Sequence, residues 1–278
     1  MIRPDLASLM DKLTDRDYAI LGDVERFRLL STKQIQRLHF DACHPTPAAS
    51  ARACNRLLHR LREAHVLKSL DRRIGGVRAG SAGFIWYIGP AGERLLANQN
   101  RRKSQNRRNY REPSRHFVEH TLAVSELAVT TIEAERQGVF EILTIQSEPA
   151  SWQQALLAFG TTLTLKPDLR LVTASADYEH HWFIEVDMAT EHMPVIMRQC
   201  AVYDAFRTTG RYQAIYGLFP AVLWVVPGIA RAQAIRATLA TTGGIDPALF
   251  RVCTPEEYLS AVADGDDHEF RQPVPDRT

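Results

Sequence analysis

The chain has 278 residues, of which 45% are hydrophobic and 24% are charged. These proportions are ordinary for a globular chain, and the length exceeds that of a typical single domain, so we expect two domains. The longest aliphatic run, residues 221–226, is far too short to span a bilayer, and no apolar signal-peptide core follows Met1. The four cysteines include no C-x-x-C pair, which argues against a zinc ribbon or a disulfide framework and favours a cytoplasmic protein.

Charge is distributed unevenly along the chain. Residues 1–117 contain 23 Lys and Arg but 11 Asp and Glu, a net charge of +12. Residues 118–278 contain 11 Lys and Arg but 21 Asp and Glu, a net charge of −10. A basic half of this size is typical of a protein that meets a polyanion, so the first half is expected to bind nucleic acid.

Three helices are predicted early in the chain. Thr14 is a typical N-cap, and apolar residues at helical spacing follow it as far as Phe27. Ser31 and Gln34 form an S-x-x-Q capping box that opens a second, short helix. After a proline-containing break, residues 51–61 carry apolar side chains at helical spacing, with arginines on the other faces.

Two strands, 66–70 and 84–88, follow the third helix, and Gly75 and Gly76 lie in the turn region between them. Three helices and a two-stranded wing make a winged helix-turn-helix, in which the third helix enters the major groove of DNA. We therefore predict base or backbone contacts from the third helix and phosphate contacts from the wing. The predicted contacts are Arg52, Asn55, Arg56 and Arg60 on the helix, and Arg72, Arg73 and Arg78 on the wing.

A basic, polar segment separates the two halves. It lacks an apolar period and contains arginines suited to phosphate contacts without sequence preference: Arg101, Arg102, Arg107 and Arg108. The predicted organisation is a winged helix-turn-helix domain at 1–98, a basic linker at 99–115 and a second domain at 116–278.

The second half is predicted to alternate helices and strands. Apolar patterning indicates a helix from residue 114 to near Gly138, followed by further elements in the order strand, strand, strand, helix, strand, helix. Their predicted ranges are 140–145, 163–172, 181–186, 194–206, 221–226 and 230–239. A turn is predicted at 175–178, between the second and third strands.

Two carboxylates fall on adjacent predicted strands. Asp168 follows Pro167, and Glu185 lies in the next strand, so both can point to one face of a sheet. Carboxylates held close together repel each other, and a hard cation such as Mg²⁺ or Mn²⁺ removes that conflict. Solvated carboxylates at two strand ends are the simpler alternative. The Pro-Asp and Glu-x-Asp order, ending at Asp187, resembles the PD-(D/E)xK nuclease superfamily, whose last position is usually Lys.

A wider resemblance covers residues 17–231. The winged helix, the Pro167-Asp168 strand, and the string Glu-x-Asp-x-x-Thr-Glu at 185–191 before a helix with Tyr203 resemble the replication-relaxation proteins of plasmids and integrative elements. MobC-type mobilisation relaxases look similar. The resemblance implies an α/β (α+β) chain in which a winged helix precedes a restriction-endonuclease-like αβββαβ domain. It also implies a metal site of Asp168, Glu185 and Asp187 with Glu126, and Arg198 in place of the usual lysine.

Two functions follow from this resemblance. The first is metal-dependent nicking, or accessory DNA processing, at a plasmid replication or transfer origin. The second is a non-catalytic regulator of replication or transcription whose degenerate nuclease fold serves dimerisation or partner binding. Expected partners are double-stranded DNA, single-stranded DNA at a nicked origin, other mobilisation or replication proteins and, as one option, a second copy of the chain. No membrane partner is expected.

Two competing motifs are weaker. His116 to His120 matches H-x-x-E-H, the inverted zinc-protease pattern, but five-residue patterns arise easily by chance. A tyrosine-dependent relaxase needs two histidines flanking one hydrophobic residue, and no such triplet occurs among the ten histidines.

Overall fold

The computed structural model describes most of the chain, and its fold is mixed α/β, as the sequence predicted. The chain divides into two compact units, Met1–Val129 and Thr130–Thr278. The described residues contain ten α-helices and three sheets. These residues are 6–70, 83–99, 113–157, 160–175, 178–264 and 271–273.

The first unit begins with a set of helices whose starts follow the predicted caps. Thr14 Oγ1 accepts a hydrogen bond from the Asp17 amide at 3.4 Å, and the Asp17 carboxylate accepts one from the Thr14 amide at 2.8 Å. Ser31 and Gln34 form the same reciprocal pair at the next helix. The helices are α1 (Leu6–Met10), α2 (Asp15–Phe27), α3 (Thr32–His39), α4 (Pro47–Glu63) and α5 (Pro90–Gln99).

A small antiparallel sheet completes the first unit. It consists of β1 (Leu30–Ser31), β2 (Leu67–Ser69) and β3 (Ile85–Ile88) in the order β1-β3-β2. The two predicted strands are confirmed, whereas β1 was not predicted, because two residues are too few to show a period. Residues 71–82, which hold the predicted turn, lie outside the described residues.

The second unit is built on a six-stranded sheet. Five strands run in the order β10-β9-β8-β7-β4, and β11 pairs with β8. β7 is antiparallel to both β4 and β8, whereas β9 is parallel to β8 and to β10. The strands are β4 (Glu141–Ser147), β5 (Gln153–Leu156), β6 (Thr162–Leu165), β7 (Leu169–Ala174), β8 (Tyr178–Val186), β9 (Ala221–Val225), β10 (Phe250–Cys253) and β11 (Arg271–Pro273).

The described part of the chain after residue 113 also contains five α-helices. The long helix α6 begins in the first unit and ends in the second. Three predicted helices, α6, α7 and α9, are confirmed, whereas α8 and α10 were not predicted. The helices are α6 (Arg115–Arg136), α7 (Met193–Thr208), α8 (Arg211–Tyr216), α9 (Ile229–Thr241) and α10 (Tyr258–Asp264).

The single strand predicted at 163–172 is wrong. The chain forms two strands there, since β6 pairs with β5 in a separate hairpin and β7 joins the main sheet. Pro167 lies between them, and a proline cannot donate the hydrogen bond that a continuous ladder needs. The turn predicted at 175–178 is also too long, because Tyr178 already belongs to β8.

The core of the second unit packs aromatic rings against one face of the sheet. The Phe183 ring lies 5.4 Å from the Tyr212 ring and 5.6 Å from the Phe219 ring, both edge-on. Tyr203 from α7 lies 5.9 Å from the same ring, with only 1% of its surface exposed. Each such pair contributes about 0.5–1.5 kcal/mol beyond area burial, so this cluster fixes α7 and α8 against β8.

Candidate functional site

The sheet register brings the two predicted carboxylates together. Leu169 in β7 pairs with Ile184 in β8, so one step further along both strands places Asp168 opposite Glu185. Asp168 Oδ2 accepts a hydrogen bond from the Val186 amide at 2.8 Å, which fixes the Asp168 side chain at that end of β8. Directly opposed residues of antiparallel strands share a face, and both carboxylates are buried, at 8% and 4% exposure.

Burial has the largest effect on the pKa of Glu185. It raises the pKa of this carboxyl well above its usual value, and the neighbouring charges of Asp168 and Glu148 raise it further. Hydrogen bonds from the Tyr203 hydroxyl and from Gln199 favour the charged form and oppose this effect. A carboxyl in these surroundings is stabilised either by a proton or by a nearby cation.

Asp187 forms an ion pair with a residue that the sequence did not single out. Its Oδ2 lies 2.6 Å from Arg231 Nε on α9, and its Oδ1 accepts a hydrogen bond from the Ala189 amide at 2.9 Å. Arg231 also donates to the Glu191 carbonyl at 2.7 Å. The pair therefore ties the loop after β8 to the start of α9. Arg231 lies 44 residues from Asp187, so no local spacing could have revealed it.

Glu126 and Arg198, the other predicted members of the site, have different surroundings. Glu126 belongs to the first unit, where its carboxylate pairs with Arg37 and accepts a hydrogen bond from Gln34 at 2.9 Å. Arg198 lies on the exposed side of α7. The roles assigned to Glu126 and Arg198 from the sequence stay predictions.

The carboxylates of the second unit suit a cation that keeps much of its water shell. Among the described residues, no group of three or more His, Cys, Asp or Glu side chains is arranged to hold a metal ion. Asp168 and Glu185 offer two carboxylates, and Mg²⁺ is commonly bound through one or two carboxylates while it retains several waters. The residues present therefore fit a magnesium-like ion better than a zinc ion in a closed protein cage.

The predicted DNA-facing helix presents all four of its proposed contacts to solvent. Arg52, Asn55 and Arg56 are exposed, and Asn55 and Arg56 follow Arg52 by three and four residues, which places each on the same side of α4 as Arg52. Arg60, with 47% of its side chain exposed, also has a partner within the unit, since its Nη2 lies 2.6 Å from Oδ1 of the fully buried Asp17 carboxylate. The other proposed contacts lie outside the described residues: Arg72, Arg73, Arg78, Arg101, Arg102, Arg107 and Arg108.

The chain is a mixed α/β protein. Its first unit carries a helix with exposed arginines, and its second unit carries a pair of buried carboxylates. Residues 21–222, more than half of the chain, match a family described as replication-relaxation. The chain belongs to the replication-relaxation family, so the resemblance inferred from the sequence is confirmed. No curated protein and no solved structure matches the chain. None of the described helices is long and apolar enough to cross a bilayer.

Proposed function

We propose that this chain is a DNA-binding protein of a mobile element that nicks DNA, with a divalent metal ion, at a plasmid replication or transfer origin. The family's description connects the chain to replication or relaxation. The observation that carries the proposal is the opposed, buried pair of Asp168 and Glu185 at the end of two central strands. The proposed partners are duplex DNA, single-stranded DNA at the nick, other mobilisation or replication proteins and, as one option, a second copy of the chain.

The first unit supports the DNA-binding part of the proposal. Its elements follow the order α2, β1, α3, α4, β2, β3, and the sheet order β1-β3-β2 places β2 and β3 side by side as an antiparallel pair. This arrangement supports a winged helix, in which α4 would be the recognition helix. Exposed Arg52 and Arg56 on that helix and the net charge of +12 over residues 1–117 fit contact with a polyanion.

The second unit supports the nuclease part. Its main sheet begins with three antiparallel strands, β4, β7 and β8, and continues through α7 to the parallel strand β9. This order supports the proposed αβββαβ arrangement of the PD-(D/E)xK resemblance, with the β5–β6 hairpin inserted after the first strand. Asp168 precedes β7 and Glu185 lies near the end of β8, and these places support their assignment to the Pro-Asp and Glu-x-x positions of that pattern.

The proposed chemistry assigns a role to each side chain. Asp168 and Glu185 would hold the metal ion, which supplies an activated water and stabilises charge on the phosphate. The Tyr203 hydroxyl and Gln199 orient the Glu185 carboxylate by hydrogen bonds. Arg198 would stabilise negative charge in place of a lysine, but it would not act as a base, because a guanidinium stays protonated.

A second candidate function is a non-catalytic regulator of replication or transcription. The contacts of Asp187 favour it, because this residue occupies the position of the usual lysine and its carboxylate is neutralised by Arg231. In this alternative the sheet and its carboxylates serve partner binding or dimerisation, and the winged helix alone meets DNA.

Nicking of supercoiled plasmid that carries the element's own origin tests the first proposal. The wild type should convert plasmid to the open-circular form with Mg²⁺ or Mn²⁺ but not with EDTA. Asp168→Asn and Glu185→Gln should each abolish nicking and leave DNA binding intact. A wild type that binds the plasmid and cuts nothing with either metal would overturn the catalytic proposal and favour the regulator.

Thermal unfolding with Mn²⁺ tests the metal ligands separately from cleavage. A ligand that binds only the folded state raises the midpoint, so Mn²⁺ should stabilise the wild type but not Asp168→Asn. Asp187→Asn separates two roles of that residue. If Asp187 only ties the loop to Arg231, Asp187→Asn and Arg231→Gln should lower the midpoint alike and keep the Mn²⁺ response; if Asp187 is a ligand, only Asp187→Asn should lose it.

A further inference from the structure

The β5–β6 hairpin carries an aromatic ring and a cation side by side next to the carboxylate site. Gln153 pairs with Leu165, so one step further along the hairpin places Trp152 opposite Lys166. The Lys166 ammonium lies 4.5 Å from the centre of the Trp152 ring. Trp152 is 38% exposed, whereas the other three tryptophans are 2–5% exposed, and Lys166 is exposed as well.

Two hydrogen bonds fix this pair relative to the carboxylates. Ser151 Oγ, which is wholly buried, donates to the Pro167 carbonyl at 2.5 Å and so holds the start of the hairpin beside Asp168. Trp152 Nε1 donates to Glu148 Oε1 at 3.1 Å, and the charge of Glu148 is among those that act on Glu185. The indole ring is therefore held in a set orientation at the edge of the carboxylate site.

We propose that Trp152 and Lys166 form a binding site for single-stranded DNA that passes the carboxylates. A base stacks on the exposed indole face, and the ammonium of Lys166 contacts the adjoining phosphate. Stacking on an aromatic ring tolerates any base, so this site holds the strand without reading its sequence. The Lys166 ammonium also offsets the repulsion between the DNA backbone and the acidic residues Glu148, Asp168 and Glu185. The inference rests on the proposed function, because it takes the carboxylate site to be the place where DNA is processed.

Tryptophan fluorescence measures occupancy of this site directly. Because the other three tryptophans are buried, quenching by an added oligonucleotide reports on Trp152. The measurement uses the full chain with Arg52→Ala and Arg56→Ala, so that α4 contributes less binding, with EDTA present to prevent cleavage. A short oligothymidylate should quench part of the emission in a saturable manner. Acrylamide quenching before and after the addition should show that the exposed tryptophan becomes protected.

Binding of a fluorescein-labelled oligothymidylate, followed by anisotropy, ranks the variants. Trp152→Ala should weaken binding about tenfold or more, whereas Trp152→Phe should keep most of the affinity because it keeps a ring. Lys166→Gln should lower the slope of log affinity against log salt by about 0.7, the contribution of one phosphate contact on a single strand. Arg211→Gln, which removes one exposed charge elsewhere in the unit, and Leu156→Ala, which trims an exposed side chain of the same hairpin, are the matched controls.

The outcomes separate this inference from the proposed nicking. Quenching together with weaker binding by Trp152→Ala and Lys166→Gln, but not by the controls, supports the site whether or not plasmid is cut. Unchanged affinity in both variants at unchanged thermal midpoints would overturn it, even if the wild type nicks DNA. Equal losses of affinity in Lys166→Gln and Arg211→Gln would also overturn it, because general charge and not this pair would then govern binding.

Discussion

The strand β8 holds a histidine, His181, that its surroundings keep neutral. His181 is 6% exposed, and burial, followed by the charges of Arg170 and His180, lowers its pKa to about 4. Neither ring nitrogen has a hydrogen-bond partner among the described residues; the nearest carboxylate oxygen, on Glu179, is 3.5 Å from Nε2, too far for a strong bond. Arg170 is itself held by the Tyr212 hydroxyl at 2.9 Å and by Gln146 at 3.2 Å.

Because of His181, we expect the free energy of unfolding to depend on pH. Its folded-state pKa of about 4 lies below the ordinary value of 6.5, so the unfolded chain binds the proton more tightly. The resulting stability is present above pH 6.5 and is lost as the pH falls toward 4, by on the order of 3 kcal/mol. His181→Leu should flatten urea-unfolding free energies between these pH values, whereas replacing the exposed His59 with Gln should not. An unchanged slope in His181→Leu would contradict the assignment.

The sequence predicted those helices and strands whose bounds are set by residues close to one another in the chain. The capping residues Thr14 and Ser31 and the period of α4 need only neighbours within a few positions, so these helices were found with nearly correct bounds. The β5–β6 hairpin was missed because Leu163 and Leu165 continue the alternation of β7 across Pro167, and period alone cannot show that a strand changes sheets. The pairing of Asp168 with Glu185 was predictable because they lie on strands adjacent in sequence.

The helix α4 contains Arg60, which has a partner inside the first unit, as well as the arginines proposed to contact DNA. Arg60 pairs with Asp17, whose side chain is fully buried. Burial alone would raise the pKa of Asp17, but hydrogen bonds from Arg60 and Thr14 outweigh it and hold that pKa below its usual value. The helical period grouped Arg60 with Arg52 and Arg56 as a proposed DNA contact. A period within one helix cannot show that Arg60 pairs with Asp17 on another helix.

Matched substitutions to glutamine separate these two kinds of arginine. Arg60→Gln leaves a buried carboxylate without its cation and should lower the free energy of unfolding of the first unit by about 1–3 kcal/mol. Arg56→Gln, on the same helix but away from the Asp17 carboxylate, should change that free energy by less than about 0.5 kcal/mol and weaken DNA binding. Denaturant unfolding and DNA titration of both variants check this. Weaker binding by Arg60→Gln at full stability would instead make Arg60 a direct contact.

The two halves of the chain differ in net charge and in how far apart in sequence their contacting residues lie. The basic first half was recognisable from composition alone, because net charge needs no knowledge of the fold. The contacts of Glu185 and Asp187 were not, because Tyr203 and Arg231 reach these carboxylates from helices later in the chain. The predicted linker at 99–115 stays a prediction, since most of it lies outside the described residues.

Because the first half of the chain is basic and the second half is acidic, we expect the full chain to bind duplex DNA through the first half. Arg52→Ala with Arg56→Ala should weaken duplex affinity and lower the slope of log affinity against log salt by about 0.9 for each phosphate that is no longer neutralised, because fewer counterions are released. Arg136→Ala with Arg211→Ala removes the same charge from two exposed positions of the second unit and is the control. Titrations at several salt concentrations distinguish the pairs. If both double variants shift the slope equally, net charge governs binding; if only the first does, α4 is the surface that meets the duplex.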